Sequence, residues 1–379
     1  MENNKKVAIV GLGYVGLPLA LLAAEKGYDV IGVEISQKKI AELKDAPITV
    51  TDDFSAIKDA AAIIICVPTP VYDTKLPNLE PVVGACRSVA KYLSKGQLVV
   101  LESTVNPGVC ETVALPILEK ESGLKAGVDF YLAHCPERIN PGDEKWTVRN
   151  IPRVVGALDA AGLKMAAELY RSIIDGEVKE MGSLKEAESV KIVENAFRDV
   201  NIAFVNELAM SFSKLGIDVV NVINGSATKP FAFMAHYPGA GVGGHCIPVD
   251  PYYLIDYAKQ NGFNHEFLAL ARTVNNGMPK FAVGLAVKEL EKLGVDIADT
   301  KVTVLGLAYK ANIEDCRESP SFEIIEHLEE IGAHVTSYDP YVLDKSTAKT
   351  LEDALLGAKV VNHRLPLTKS SKSSLPNIS

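Results

Sequence analysis

The feature that most limits what this chain can become is an internal repeat. Lys6-Val-Ala-Ile-Val-Gly-Leu12 and Lys301-Val-Thr-Val-Leu-Gly-Leu307 are the same β-rich run ending in the same glycine turn. Each is followed by a helical pattern, a glycine, a second β-rich run and an acidic residue, Glu34 in one copy and Asp339 in the other. A run of branched apolar residues that turns at glycine and restarts with helical periodicity is the opening of a parallel βαβ unit, not of a hairpin. Two such openings in 379 residues predict an α/β fold with two Rossmann-like domains and helical sequence between them.

In the first half, β-rich runs at residues 6–10, 29–34, 61–67, 97–103, 130–134 and 153–157 alternate with helical patterns. That alternation predicts a parallel sheet covered on both faces. A long helix is expected over 183–215, with Val193, Phe197, Val200, Phe204 and Leu208 along one face and Glu188, Lys191, Asn195, Arg198 and Asn201 along the opposite one. The expected organisation is a dinucleotide-binding domain at 1–182, a central helical domain at 183–296 and a second α/β domain at 297–379. The copies then diverge. Residues 58–66 run into a third strand, whereas the matching 355–361 stops after two valines, and the tail from Lys369 holds five serines and no strand pattern. The second domain is therefore expected to lack its last strands.

Composition excludes several classes. A chain with 47% hydrophobic and 23% charged residues is an ordinary globular one. A net charge of −9 offers no general footprint for nucleic acid or an anionic membrane, so a phosphate must be held by local groups. The six cysteines (66, 86, 110, 135, 246, 316) form no C-x-x-C pair, which argues against zinc and against a disulfide framework; no metal is expected, and a reducing cytoplasm is the expected setting. Lys5-Lys6 and the uncharged run behind them imitate a secretory leader, but Gly11, Gly13, Gly16 and Pro18 break the run and no small-residue cleavage site follows.

Gly11-Leu-Gly-Tyr-Val-Gly16 lies between a strand and a helix, with Glu34 closing the next strand. The first glycine permits the tight turn, the second lets backbone approach a pyrophosphate, and the third lets helix pack on strand. A carboxylate at Glu34 accepts the ribose hydroxyls of NAD and repels the extra phosphate of NADP. Cys66-Val-Pro-Thr-Pro70 and Glu102-Ser-Thr-Val-Asn-Pro-Gly108 also follow strands, where α/β sheets bind ligands; plain turns account for the same residues. Gly239-Ala-Gly-Val-Gly-Gly-His-Cys246 strips side chains from the approach to a thiol, and Asp250-Pro251 reads as an N-cap and the first helical position. Against this, an isolated cysteine is commonly core filler, and the polar face of the long helix is by default a solvated one. Lys191 and Asn195 nevertheless stand one turn apart and can meet one reacting oxygen.

These residues together resemble the nucleotide-sugar 6-dehydrogenases. The resemblance runs to about Ala358 through Gly11–Gly16, Val67-Pro-Thr-Pro70, Glu102-Ser-Thr104, Cys135-Pro-Glu-Arg138, Ala187-Glu-x-x-Lys191-x-x-x-Asn195, Gly243-Gly-His-Cys246, Gly306-Leu-Ala-Tyr-Lys310 and Asp315-Cys-Arg-Glu-Ser-Pro320. It implies a four-electron, NAD-dependent oxidation of a sugar C6 alcohol to the acid, with Cys246 as nucleophile and Lys191 and Asn195 holding the oxyanion. Asp250 is then a base or water-orienting acid, and Thr104 and Glu137 help the water. It further implies cofactor contacts from Tyr14, Val15, Pro68, Thr69, Ser103, Thr104 and Arg317 beside the glycines and Glu34. Substrate contacts would come from Arg138, Ile139, Arg198, Gly243, Tyr309 and Lys310, Lys310 and Arg317 being nucleotide-side groups of a UDP-binding C-terminal domain.

Val249 precedes Asp250 where UDP-glucose enzymes of the family typically carry lysine, and the His-Cys-Ile-Pro-Val-Asp-Pro form resembles the N-acetylhexosamine enzymes; Thr228-Lys-Pro-Phe231 and Tyr253 incline the resemblance towards UDP-N-acetylglucosamine. UDP-glucose and UDP-N-acetylmannosamine are the alternatives. An inactive nucleotide-sugar-binding remnant is a further one, because the family's loop between Ala46 and Thr51 and its last C-terminal strands are shortened here. A homodimer through the central helix and a role in surface polysaccharide synthesis complete what the resemblance implies.

Overall fold

The computed structural model describes residues 5–70, 72, 77–139, 145–298 and 300–363, so the serine-rich tail lies outside the described residues. The chain divides into two compact units, Met1–Glu194 with Tyr252–Phe263, and Asn195–Pro251 with Asn264–Ser379.

The first unit opens with β1 (Lys6–Val10), α1 (Gly16–Glu25), β2 (Asp29–Val33), α2 (Gln37–Glu42), β3 (Thr49–Thr51), β4 (Ala62–Ile65), α3 (Glu80–Ala90) and β5 (Leu98–Leu101). A π-helical turn at Cys110–Ala114 leads into α4 (Leu115–Ser122), followed by β6 (Tyr131–His134), β7 (Arg153–Ala157), α5 (Ala160–Ile173) and β8 (Val178–Glu180). The strands form one sheet in the order β3-β2-β1-β4-β5-β6-β7-β8. Successive side chains of a strand point to opposite faces. Val7, Ile9, Ile64 and Val100 accordingly join Leu19 of α1 and Ala166 and Leu169 of α5 in one core, and Ala8, Val10, Ile63 and Ile65 join Val82, Cys86 and Val89 of α3 in the other. Burial on both faces is why these strands read as unbroken apolar runs.

One ladder departs from the expected parallel sheet. β7 runs antiparallel to β6, with Ala133 opposite Ala157 and His134 opposite Gly156. No helix lies between them among the described residues, and without a crossover helix the chain can only turn back. β3 and β8, of three residues each, sit at the two edges and are too short to show a period in the sequence.

α6 (Leu184–Leu215) is the predicted long helix, but its faces are reversed with respect to a solvated polar side. Glu188, Lys191 and Asn195 are buried, whereas Val193, Phe197 and Phe204 are 54%, 47% and 53% exposed. Arg198 stays exposed and Asn201 half-buried. α7 (Val219–Ser226), α8 (Asp250–Gln260), α9 (Glu266–Asn276) and α10 (Met278–Lys292) follow. Asp250 is the first residue of α8 rather than its cap, and Pro251 the second.

The second unit contains β9 (Lys301–Leu305), α11 (Pro320–Glu330), β10 (His334–Tyr338), α12 (Leu351–Leu355) and β11 (Val360–His363), in a parallel sheet ordered β10-β9-β11. This repeats β2-β1-β4 down to its register: Lys6 pairs with Asp29 and Lys301 with His334, Val7 with Ala62 and Val302 with Val360. The third strand does not stop at the two valines. Its ladder continues through Asn362 and His363, because pairing with β9 uses backbone groups whatever the side chain.

Candidate active site

In the first unit the three glycines divide their work as the fingerprint requires. Gly11 sits at φ +91°, closed to a side chain by the Cys66 carbonyl 2.8 Å from where a Cβ would be; a Cβ on Gly16 would come within 1.9 Å of the Gly11 oxygen, while nothing lies within 4 Å of the Gly13 position. α1 begins without a side-chain cap; in its first turn Leu17 and Leu19 donate to the Gly13 (3.1 Å) and Val15 (3.4 Å) carbonyls. Tyr14 is fully at the surface and Val15 half-buried beside it. The Glu34 carboxylate accepts from the backbone N–H of Leu12 (3.1 Å), Ile35 (2.9 Å) and Ser36 (3.0 Å), fixing it at the end of β2. Asp339 does the same in the second copy, accepting from Leu307 (2.7 Å) and Ala308 (2.8 Å). The repeated acid therefore holds the glycine turn in both units. An open Gly13, an uncapped helix and a fixed carboxylate fit a dinucleotide, with pyrophosphate at α1 and ribose at Glu34.

Beyond the ends of β4, β5 and β6 lie three further loops. Pro68 and Thr69 follow β4, and the Thr69 carbonyl accepts from the Tyr253 hydroxyl (2.8 Å), so that hydroxyl, expected to favour one sugar, is bound within the protein. Ser103 donates to the Val67 carbonyl (2.7 Å), leaving Thr104 beside it half-buried. Glu137 is buried, its Oε1 accepting from the backbone N–H of Arg138 (2.6 Å) and Ile139 and its Oε2 from Arg153 Nη1 (3.0 Å). Arg138 pairs with Glu194 on the long helix and donates to the Pro152 carbonyl (2.9 Å).

Glu188, one turn before Lys191, accepts from the backbone N–H of Gly108 (2.5 Å) and Cys110 (2.8 Å) and so ties the loop after Thr104 to the long helix. Cys110, His134 and Glu188 cluster in the core, with Cys110 Sγ 3.8 Å from His134 Nδ1. Burial pushes the Cys110 thiol and the Glu188 carboxyl up and the His134 imidazole down to about 3, so His134 is neutral. Lys191 is 9% exposed.

In the second unit, Asn195 is buried between two charged partners: its Nδ2 donates to Asp250 Oδ2 (2.5 Å), and its Oδ1 accepts from Arg198. Asp250 in turn donates its N–H to the Cys246 carbonyl (2.8 Å), and the Cys246 side chain is exposed. The glycines before the cysteine make room chiefly for the chain's own loop. A Cβ on Gly243 would come within 2.8 Å of the Glu318 oxygen and of Tyr309 Cβ, and one on Gly244 within 2.8 Å of the Tyr309 ring. Gly244 also donates to the Arg317 carbonyl (3.0 Å). Tyr309 is raised by burial, with Asp315 and Cys246 adding and Arg317 and Arg198 opposing. Arg317 is forked onto Asp315 (2.6–3.1 Å), and half-buried Lys310 follows Tyr309. Cys246, Asn195, Asp250, Arg198, Gly243, Tyr309 and Arg317 thus gather in one unit, and Lys191, Thr104, Glu137, Arg138, Ile139 and the glycine turn belong to the other.

Family models for the UDP-glucose/GDP-mannose dehydrogenase family match the chain in three successive segments: the NAD binding domain over residues 5–174, the central domain over 185–277 and the UDP binding domain over 303–367. The chain belongs to this family. It is an NAD-dependent oxidoreductase of nucleotide sugars, and NAD is its cofactor. It is 41% identical to Protein CapL of Staphylococcus aureus over 361 residues, covering 91% of this chain and 84% of the relative. It is 40% identical over 356 residues to the UDP-N-acetyl-D-glucosamine 6-dehydrogenase of Pseudomonas aeruginosa, covering 90% and 84%. The solved UDP-D-ManNAc dehydrogenase of Pyrococcus horikoshii superposes with a TM-score of 0.89 at 36% identity, over 95% of this chain and 89% of that one. Among the described residues no helix of this family member is long and apolar enough to cross a membrane.

Sequence reasoning assigned no role to Arg153 or to the Glu188 carboxylate as a loop anchor. Arg153 opens an apolar strand, where a lone cation reads as a surface residue. The available signal was the carboxylates Glu102 and Glu137 closing neighbouring strands, which demand a counter-charge if both are buried.

Proposed function

We propose that the chain oxidises the C6 hydroxymethyl group of a UDP-N-acetylhexosamine, UDP-N-acetylglucosamine first, to the uronic acid through a thiohemiacetal and a thioester on Cys246. The observation that carries this reading is the buried Asn195, held between Asp250 and Arg198, with Asp250 fixed one turn after the Cys246 carbonyl. A rigid amide bonded to Asp250, whose N–H meets the Cys246 carbonyl, suits an oxygen that gains charge during reaction at the cysteine. Lys191, one turn earlier on the same helix, supplies a cation for that oxygen at every stage.

NAD, when bound, would supply the hydride acceptor for each of the two oxidations. Asp250 takes or relays the alcohol proton as the aldehyde forms, and the Cys246 thiolate then adds to the aldehyde carbon. The tetrahedral adduct carries its negative charge on the oxygen faced by Lys191 and Asn195. After the second oxidation a water positioned by Thr104 and Glu137 attacks the thioester, and the thiol leaves protonated, so each acid formed leaves two NADH. Glu34, Gly13 and the α1 N-terminus hold the cofactor, and the resemblance assigns Arg317 to it as well. Tyr309, Lys310, Arg138, Arg198 and the Gly243 backbone hold the UDP-sugar.

UDP-N-acetylmannosamine is a second reading, favoured by the Pyrococcus horikoshii structure. A panel of UDP-N-acetylglucosamine, UDP-N-acetylmannosamine and UDP-glucose followed by NADH absorbance separates them. The highest kcat/KM is expected with UDP-N-acetylglucosamine; preference for UDP-glucose, or no turnover with any, rejects the assignment. The exposed Val193, Phe197 and Phe204 support pairing of two copies through α6. Product for a surface polysaccharide, made in the cytoplasm, completes the reading.

A further inference from the structure

The reversal of β7 has a chemical consequence. In a parallel sheet the first residue of a strand lies at the end away from the ligand, but β7 is antiparallel to β6, and continuing their register past His134 brings residue 137 opposite residue 153. Arg153, which begins β7, therefore stands at the carboxyl ends of β5 and β6, the ligand end of the sheet. There its Nη1 alone bridges two carboxylates, Glu102 Oε1 at 2.6 Å and Glu137 Oε2 at 3.0 Å. Arg153 and Glu102 are 0% exposed and Glu137 is 6% exposed. Tyr170 of α5 donates to Glu102 Oε2 (2.9 Å), and Cys66 Sγ lies 4.0 Å from the same oxygen.

We propose that Arg153 and Glu102 are positioning residues for Glu137: one buried guanidinium nitrogen, shared by two carboxylates, fixes where Glu137 points, and Glu102 competes with Glu137 for that cation. The inference rests on the reading of Glu137 as a helper of the hydrolytic water. Two buried carboxylates on one cation repel each other and divide its attraction between them. The other groups facing the pair bring no competing charge. Burial pushes the thiols of Cys66 and Cys135 and the hydroxyl of Tyr170 well up, leaving them neutral. Burial works against the Arg153 cation, yet the carboxylates of Glu137 and Glu102 hold it well above its ordinary value. Burial raises Glu102, with Arg153 opposing and Glu137 adding. A carboxylate so oriented accepts a proton from water without turning.

The test is the pH profile of acid release in a single turnover, on the full chain with saturating NAD and the best sugar of the panel. Glu102→Gln keeps the shape and removes the competing charge, so Arg153 serves Glu137 alone. The acid limb should then move down by about one pH unit or more, the scale of an opposite charge at contact distance. Arg153→Lys keeps the charge but loses the planar nitrogen that faces both oxygens; it should lower the hydrolysis rate while the KM for NAD stays as in the wild type. A residue that only supports the fold would change thermal stability and leave the acid limb in place. A folded Glu102→Gln variant with an unmoved limb overturns the proposal. Glu137→Gln separates the two levels. Wild-type hydrolysis in that variant removes the underlying reading of Glu137 and the proposal with it, whereas loss of hydrolysis there beside an unmoved Glu102→Gln profile overturns the proposal alone.

Discussion

Replacing Glu188 by leucine should loosen the loop that carries Thr104, and the size of the effect follows from two hydrogen bonds. Glu188 is 0% exposed and accepts from the backbone N–H of Gly108 and Cys110, which stand at the start of the π-helical turn Cys110–Ala114. Donors at the start of a helix have no partner within it, and both residues are buried, so water cannot replace the carboxylate. Each stranded donor costs about 1–3 kcal/mol, which gives about 2–6 kcal/mol for Glu188→Leu. Relief from burying a carboxyl, which burial raises above its ordinary value, offsets part of this and favours the lower half of the range. Glu188→Gln keeps one acceptor and should lose about half as much. Urea unfolding measures the change, and hydrogen exchange at the Gly108 and Cys110 amides locates it. A Glu188→Leu variant within about 0.5 kcal/mol of the wild type, with unchanged protection at both amides, would refute the anchoring role.

Two further outcomes are expected. Glu34→Ser removes the charge that repels a ribose phosphate and should narrow the preference for NAD over NADP; because Glu34 also holds the Leu12 N–H, affinity for NAD should fall as well. Steady-state kinetics with both cofactors checks this, and unchanged discrimination would remove Glu34 from cofactor choice. The proposed pairing through α6 predicts that the wild type sediments as a dimer and Phe204→Glu, on the exposed side of that helix, as a monomer; an oligomeric state unchanged by the substitution would exclude that face.

The features legible in the amino-acid sequence are local and steric. Gly11 and Gly16 admit no side chain, and the restart at Lys301 repeats the first strand so closely that even the strand order recurs. Periodicity divides α6 into two faces, but a period carries no sign. Glu188 and Asn195 are drawn inward by the hydrogen bonds they make there, Lys191 is buried on the same side, and Phe197 and Phe204 are left outside. That Arg153 meets the two carboxylates is hidden in the sequence for a different reason. Its partners lie 51 and 16 residues away and meet because β7 reverses, with no crossover helix between β6 and β7 among the described residues. The role of the glycines before Cys246 changes in the same way, since the segment they admit, with Tyr309 and Glu318, is remote in sequence.

The central claim is that one thiol carries the sugar through both oxidations, and the most direct measurement counts NADH and acid together. With the best UDP-sugar of the panel, absorbance and chromatography on the same sample should give two NADH for each uronic acid, no free aldehyde, and no acid from Cys246→Ala. One NADH per sugar with aldehyde accumulating, or acid formed by Cys246→Ala at the wild-type rate, would contradict it.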